Sequence, residues 1–104
     1  MKQNLKTDEL QFVNMCKAIG NPLRYEIIQF LTEHAECITY DIVRYFPKAQ
    51  STISQHLKIL KESGWINGTI EGTATCYCLN KENINWFKQK AQECVKIPVI
   101  PGKC

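Results

Sequence analysis

QSTISQHLKILKESG, residues 50–64, is the stretch that decides the fold of this 104-residue chain. Its apolar residues recur at helical spacing, at Ile53, Leu57, Ile59 and Leu60. Gly64 then follows as a typical helix end. The other positions carry mainly Ser, Thr, Gln and Lys, so the stretch predicts a helix with one buried face and one long polar face.

A shorter apolar series lies directly upstream of this helix. Thr39 is a suitable N-cap for a helix that carries Ile42 and Val43, and Pro47 stops that helix. Only a very short turn separates the two helices. A pair of helices arranged in this way is the outline of a helix-turn-helix unit, whose second helix enters the major groove of DNA.

Two more helices are predicted before this unit. Thr7 is placed as the cap of a helix that runs from about Asp8 to Ile19. Asn21 and Pro22 supply the N-cap and the first residue of the next helix, because this position leaves the N–H that proline lacks unpaired in any case. The helix-turn-helix unit therefore has two helices in front of it.

The apolar period changes from helical to alternating after Gly64. Residues 65–70 and 73–79 form two β-prone runs on either side of Gly72, which predicts a hairpin. Asn80 is a suitable cap for a last helix that reaches about residue 95. The predicted fold is mainly α with a β-hairpin wing, which is the winged helix-turn-helix order. We expect a single domain over residues 1–104, with a short tail over about 96–104.

Composition and charge fit one small folded domain. Hydrophobic residues make up 44% and charged residues 22% of the chain, close to the averages for folded globular proteins. A net charge of +3 permits a polyanionic partner without requiring one. The sequence shows neither an apolar run long enough to span a membrane nor an export signal. We therefore expect a cytoplasmic protein with no membrane contact, whose six cysteines are reduced thiols.

Three segments together resemble the arsenical-resistance repressor family, also called ArsR/SmtB-type regulators. They are AIGNPLRYEII at residues 18–28, QSTISQHLKILKESG at residues 50–64, and Glu71-Gly72 in the wing. The resemblance covers roughly residues 8–95. It implies a DNA-binding repressor that forms a homodimer through its first and last helices. It also implies release from the operator by a metal, a metalloid or a thiol-reactive signal.

The residues themselves indicate how duplex DNA is bound. From residue 42 to residue 61 the chain carries four basic residues and no acidic one, which forms a local basic patch. Gln side chains can pair with base edges, and short Ser and Thr side chains let a helix approach phosphates closely. The predicted DNA contacts are Gln50, Ser51, Thr52, Ser54, Gln55, His56, Lys58 and Lys61 on the helix, with Thr69 and Thr73 on the wing. The alternative interpretation is an ordinary solvated helix face.

The inducer site departs from the patterns that the resemblance implies. The family's arsenite motif places two cysteines before the recognition helix, where this chain has Ile38 and Tyr40. The family's zinc site on the last helix needs Asp and His, and residues 81–95 contain neither. Thiols remain, and soft thiolates select arsenite-like metalloids. The predicted ligands for trivalent arsenic are Cys76, Cys78, Cys94 and Cys104, and no obligatory cofactor is expected.

Other interpretations of the cysteines stay open. Cys76 and Cys78 could be small core residues, which is how we interpret Cys16. The rival hypothesis for regulation is a thiol-redox or persulfide-responsive repressor that uses Cys37 and Cys94. A third possibility is a plain protein-interaction module. An enzyme is not expected, because neither histidine of the chain lies in a setting that suggests a Cys-His pair.

Overall fold

The computed structural model describes residues 5–34, 41–71, 74–95 and 97. Over these ranges the chain forms five helices and one two-stranded antiparallel sheet. The elements are α1 (Thr7–Ile19), α2 (Pro22–Thr32), α3 (Asp41–Tyr45), α4 (Gln50–Ser63), β1 (Ile66–Glu71), β2 (Ala74–Leu79) and α5 (Lys81–Cys94). The predicted order of four helices, a hairpin and a fifth helix is confirmed. Within the described part of the chain, no helix has the length and apolar content needed to cross a bilayer.

The starts of α1 and α2 show which capping signals were correct. Thr7, predicted as the cap of α1, is instead its first helical residue, and Lys6 takes the cap position with extended backbone. The Lys6 N–H donates to the Glu9 carboxylate at 3.1 Å, which satisfies one backbone donor at this helix end. Asn21 caps α2 as predicted, since its side-chain oxygen accepts from the N–H groups of Leu23 and Arg24 at 3.0 and 3.1 Å.

The hydrophobic core lies between α1, α2, α3, α4 and the base of the hairpin. Its fully buried aliphatic side chains are Met15, Ile27, Leu31, Ile42, Ile53, Leu57, Leu60 and Ile66. Burying one such side chain stabilises the fold by about 1.5 to 3 kcal/mol. Trp65 joins the two ends of this core, because its indole N–H donates to the Met15 carbonyl at 2.8 Å.

Helix α5 returns from the hairpin and packs against α1. The Phe87 ring lies 5.0 Å from the Phe12 ring and 4.8 Å from the Trp65 ring, measured between centroids. Asn80 caps α5 as predicted by accepting from the Asn83 N–H at 3.0 Å. α5 has no fully buried residue, although its aromatic side chains contact the core. One side of α1 and α5 therefore remains open to solvent.

The hairpin pairs Ile66 with Leu79 at its base and Glu71 with Ala74 at its outer end. The two strands therefore extend away from the core as a wing. The predicted turn around Gly72 lies between these strands, and Gly72 and Thr73 fall outside the described residues, as does the predicted Thr39 cap.

Candidate nucleic-acid interface

Helix α4 is held in one rotational setting by its buried side. Ile53, Leu57 and Leu60 point into the core with 1% exposure or less. At the far end, Gly64 closes the helix in the left-handed region, with φ of +97°, and its N–H reaches the Leu60 and Lys61 carbonyls. Because both features fix the helix, the residues on its opposite side have a defined direction.

That opposite side carries the predicted base-reading residues. Ser51, Ser54, Gln55 and Lys58 are exposed and recur at intervals of three and four residues, so they form one stripe along the helix. Gln50 is exposed in the first turn, and Thr52 is half-buried. Ala49 occupies the N-cap without a side-chain hydrogen bond, as its side chain predicts. The first turn thus has backbone N–H groups available for an anionic partner.

Basic side chains flank this stripe. Arg44 on α3, Lys48 in the turn and Lys58 and Lys61 on α4 are all exposed. Lys61 also lies against the wing, because a Cβ placed on Gly68 would be 3.3 Å from Lys61 Cδ and 3.4 Å from its Nζ. The small residue at position 68 therefore lets the lysine stem lie across β1, which joins the helix and the wing into one positively charged surface.

His56 is the predicted contact that the fold directs elsewhere. It is half-buried, and its Nδ1 accepts from Arg24 Nη1 at 3.2 Å, while Arg24 Nε donates to the Ala18 carbonyl at 2.6 Å. Burial lowers the pKa of the His56 imidazole, and the Arg24 charge lowers this pKa further. His56 thus lies between α4 and α2 as a neutral ring, where it helps to hold the recognition helix in place.

On the wing, Thr69 is exposed on β1 opposite Cys76, whereas Thr73 lies outside the described residues. Of the predicted wing contacts, Thr69 thus has a position from which DNA could be reached.

The predicted thiol ligands fall into two separate places. Cys76 is buried with 2% exposure and Cys78 is half-buried; both lie on β2, two residues apart and so on one face of the strand. Cys94 is exposed at the end of α5, and Cys104 lies outside the described residues, as does Cys37. Among the residues described, no group of three or more His, Cys, Asp or Glu side chains is placed to hold a metal ion. The predicted set stays a prediction.

Sequence reasoning did not single out the thiol that the fold associates with Cys94. Cys16 on α1 is a half-buried free thiol, and burial raises its pKa. The charge of Cys94 on α5 raises the pKa of Cys16 further, so the two thiols are close enough to interact. The available signal was that Cys16 follows Phe12 by one turn on the side of α1 that packs on α5.

An exposed polar and basic recognition helix beside a hairpin wing defines this chain as a DNA-binding protein of the winged helix-turn-helix class. A family model described as "Bacterial regulatory protein, arsR family" matches residues 21–67. The chain is 32% identical to the arsenical resistance operon repressor of Bacillus subtilis over 88 residues, which cover 85% of this chain and 84% of that protein. The chain belongs to the arsR family of bacterial regulatory proteins, which are DNA-binding regulators and not enzymes.

Two further likenesses agree with this assignment. An uncharacterized HTH-type transcriptional regulator of Methanocaldococcus jannaschii is 35% identical over 68 residues, 65% of this chain and 76% of that protein. A solved structure from Mycobacterium bovis is the homodimeric winged helix-turn-helix DNA-binding domain of a possible ArsR-family regulator. It has a TM-score of 0.67 at 23% identity and covers 90% of this chain and 88% of its own. At that identity the likeness establishes the shared fold.

Proposed function

We propose that this chain is a cytoplasmic transcriptional repressor that binds a double-stranded operator as a homodimer and leaves it when a thiol-binding inducer, a trivalent arsenical, is bound. The observation that carries the proposal is the exposed stripe of Ser51, Ser54, Gln55 and Lys58 on a helix whose other side is locked in the core. The name of the Bacillus subtilis relative supports both repression and the arsenical.

In this proposal α4 lies in the major groove. Gln55 reads a base edge, because its amide can donate and accept at once and so pair with adenine. Lys58 and Lys61 neutralise phosphates and carry no sequence preference. The full set of proposed contacts is Gln50, Ser51, Thr52, Ser54, Gln55, His56, Lys58, Lys61, Thr69 and Thr73. His56 acts here by holding α4 on α2 through Arg24.

The homodimer places two such helices on one operator. Support for it comes from the homodimeric Mycobacterium bovis structure. Leu5, Leu10 and Val13 at α1 and Val95 after α5 are large apolar side chains exposed to solvent, which a second copy would cover. Pairing through α1 and α5 sets the recognition helices about one DNA turn, roughly 34 Å, apart.

The inducer acts through cysteine thiols. The sequence-based ligands are Cys76, Cys78, Cys94 and Cys104, and Cys94 is the most exposed of them among the described residues. An inducer must bind the form of the dimer that does not hold DNA more tightly than the form that does, because equal affinity for both would shift nothing.

The test of DNA binding compares two substitutions on α4. Gln55→Ala is expected to weaken operator binding by about 1 to 3 kcal/mol and to relax the preference at one base pair. Lys58→Ala is expected to weaken all duplexes alike and to reduce the slope of log K against log salt by about 1. Fluorescence anisotropy at several salt concentrations measures both. Gln29→Ala on α2 and Lys88→Ala on α5 change the same residue types at other exposed positions and are the matched controls.

If Gln55→Ala and Lys58→Ala bind the operator as the controls do, the assignment of α4 as the recognition helix is wrong. The arsenical is tested separately by titrating arsenite into the preformed protein–DNA complex. Release is expected in the reduced protein and should be lost after its thiols are blocked with iodoacetamide. Retention of DNA at saturating arsenite would contradict the proposed inducer while leaving DNA binding intact.

A further inference from the structure

Two contacts fix the relative position of α1 and α5 near their cysteines. The Asp8 carboxylate lies 2.8 Å from Lys90 Nζ, and the Phe12 and Phe87 rings stack at 5.0 Å. Cys16 follows Phe12 by one helical turn, and Cys94 follows Lys90 by one helical turn. The two cysteines therefore lie on the sides of α1 and α5 that these contacts bring together.

The two thiols differ in access to solvent. Cys94 is exposed and donates a weak hydrogen bond to the Ala91 carbonyl at 3.2 Å. Cys16 is half-buried; burial raises the pKa of its thiol, and the charge of Cys94 raises that pKa further. The exposed thiol is thus the first that a reagent meets, and the second sulfur lies close behind it in protonated form.

A groove of about 470 Å³ runs beside Cys94. On the α1 side it is lined by Leu5, Phe12 and Val13, together with Glu9. On the α5 side it is lined by Lys90, Glu93 and Cys94. One wall is therefore mainly apolar, and the thiol stands at the opposite wall.

We propose that Cys16 and Cys94 together form a two-thiol site for an organic trivalent arsenical, with arsenic bonded to both sulfurs and its carbon substituent lying in this groove. Trivalent arsenic has three bonding positions and prefers soft thiolates. Two of these positions are taken by the sulfurs, and the third already carries carbon. The apolar side chains of α1 supply a surface for that substituent.

The chemistry needs no oxidant. With phenylarsine oxide, Cys94 adds first through its sulfur, and Cys16 then displaces the arsenic-bound oxygen. Two arsenic–sulfur bonds form, the arsenic–oxygen bond is lost, and the oxygen leaves as water with the two thiol protons. Arsenic remains trivalent and both sulfurs keep their oxidation state.

This site would act on the helices through which the dimer is proposed to form, so its role as a switch rests on the proposed function. A bridge between α1 and α5 fixes their crossing. Any change in that crossing alters the distance between the two recognition helices. The two-thiol site itself can be tested without DNA.

The experiment adds phenylarsine oxide to the reduced full-length chain in excess 2-mercaptoethanol. A monothiol removes adducts held by one sulfur but competes poorly with a two-sulfur chelate, because the second bond forms within the molecule. Intact mass and thiol titration are expected to show a retained adduct and two thiols lost for each arsenic. Cys94→Ser and Cys16→Ser should each weaken retention about 100-fold. Cys78→Ser is the matched control and should retain the adduct as the unaltered chain does.

Cys94 is exposed, so its substitution leaves the core untouched, and Cys16→Ala provides a second variant at the half-buried position. Circular dichroism checks the fold of each variant. Retention of the adduct at the unaltered level in Cys94→Ser, or its loss in Cys78→Ser alone, overturns the assignment. Operator binding is measured on the same samples. An adduct on Cys16 and Cys94 that leaves operator binding unchanged would establish the site and contradict the proposed release.

Discussion

Gly64→Ala is the substitution whose effect follows most directly from the structure. Gly64 ends the recognition helix with φ of +97°, a conformation that glycine adopts without steric cost. A Cβ there would lie 2.9 Å from Asn83 Nδ2 and 3.0 Å from Gln11 Nε2. Both amides are in use, since Asn83 donates to the Gly64 carbonyl at 3.0 Å and Gln11 donates to the Ser63 carbonyl at 3.1 Å. The methyl group would therefore meet the contacts of α5 and α1 with the end of α4.

The expected loss of stability has two parts. A residue with a Cβ in the left-handed region costs about 1 to 2 kcal/mol. Displacing the two amide hydrogen bonds removes about 0.5 to 1.5 kcal/mol for each. We therefore expect Gly64→Ala to lower the free energy of unfolding by about 2 to 5 kcal/mol, a large share of the stability of a small domain.

Urea unfolding followed by circular dichroism measures this difference. All proteins must be compared at one concentration, because dimerisation contributes to apparent stability. Gly20→Ala is the matched control: Gly20 also ends a helix, but its φ is −74°, and a Cβ there meets only the Cys16 carbonyl at 3.3 Å. Its effect should stay within about 1 kcal/mol. A Gly64→Ala protein within about 0.5 kcal/mol of the unaltered chain would refute the reasoning.

Three further outcomes are expected. Asn21→Ala removes the acceptor for two N–H groups at the start of α2 and should lower the free energy of unfolding by about 1 kcal/mol in urea. The His56 pKa is lowered, so the neutral ring favours the folded state; stability is full above the ordinary pKa of 6.5 and falls as pH drops through the folded pKa. His56→Gln should flatten this dependence in urea titrations across that range, and an unchanged profile would contradict it. Truncation after Leu79 removes α5 and should give monomer or aggregate in sedimentation, with little operator affinity; a truncated dimer that still binds DNA tightly would argue against the proposed interface.

The fold was predictable because its signals are local. The apolar spacing in residues 50–64, the Asn21 and Asn80 caps and the alternation after Gly64 each involve neighbours within a few positions. The one displaced boundary, at Thr7, also has a local cause. Glu9 accepts from the Lys6 N–H, so the helix gains a residue at its start that the presence of a threonine did not predict.

The candidate interface was predictable where helical period alone decides exposure. Ser51, Ser54, Gln55 and Lys58 are exposed for the same reason that Ile53 and its apolar neighbours are buried. The position of His56 depends instead on Arg24, which lies on another helix, and the position of Lys61 depends on a strand residue without a side chain. Period places a residue on a face, whereas tertiary contacts decide what that face meets.

The thiols show the same division, and it bears on how an inducer could act. Cys76 and Cys78 share a strand, so a ligand held by them would act first on the wing of its own protomer. Cys16 and Cys94 are brought together only by the crossing of α1 and α5, which the Phe12–Phe87 stack helps to fix. If the dimer forms through these helices, a bridge between them would move both recognition helices at once. Because packed interfaces switch between discrete arrangements, a small change in that crossing could turn local thiol chemistry into loss of operator binding.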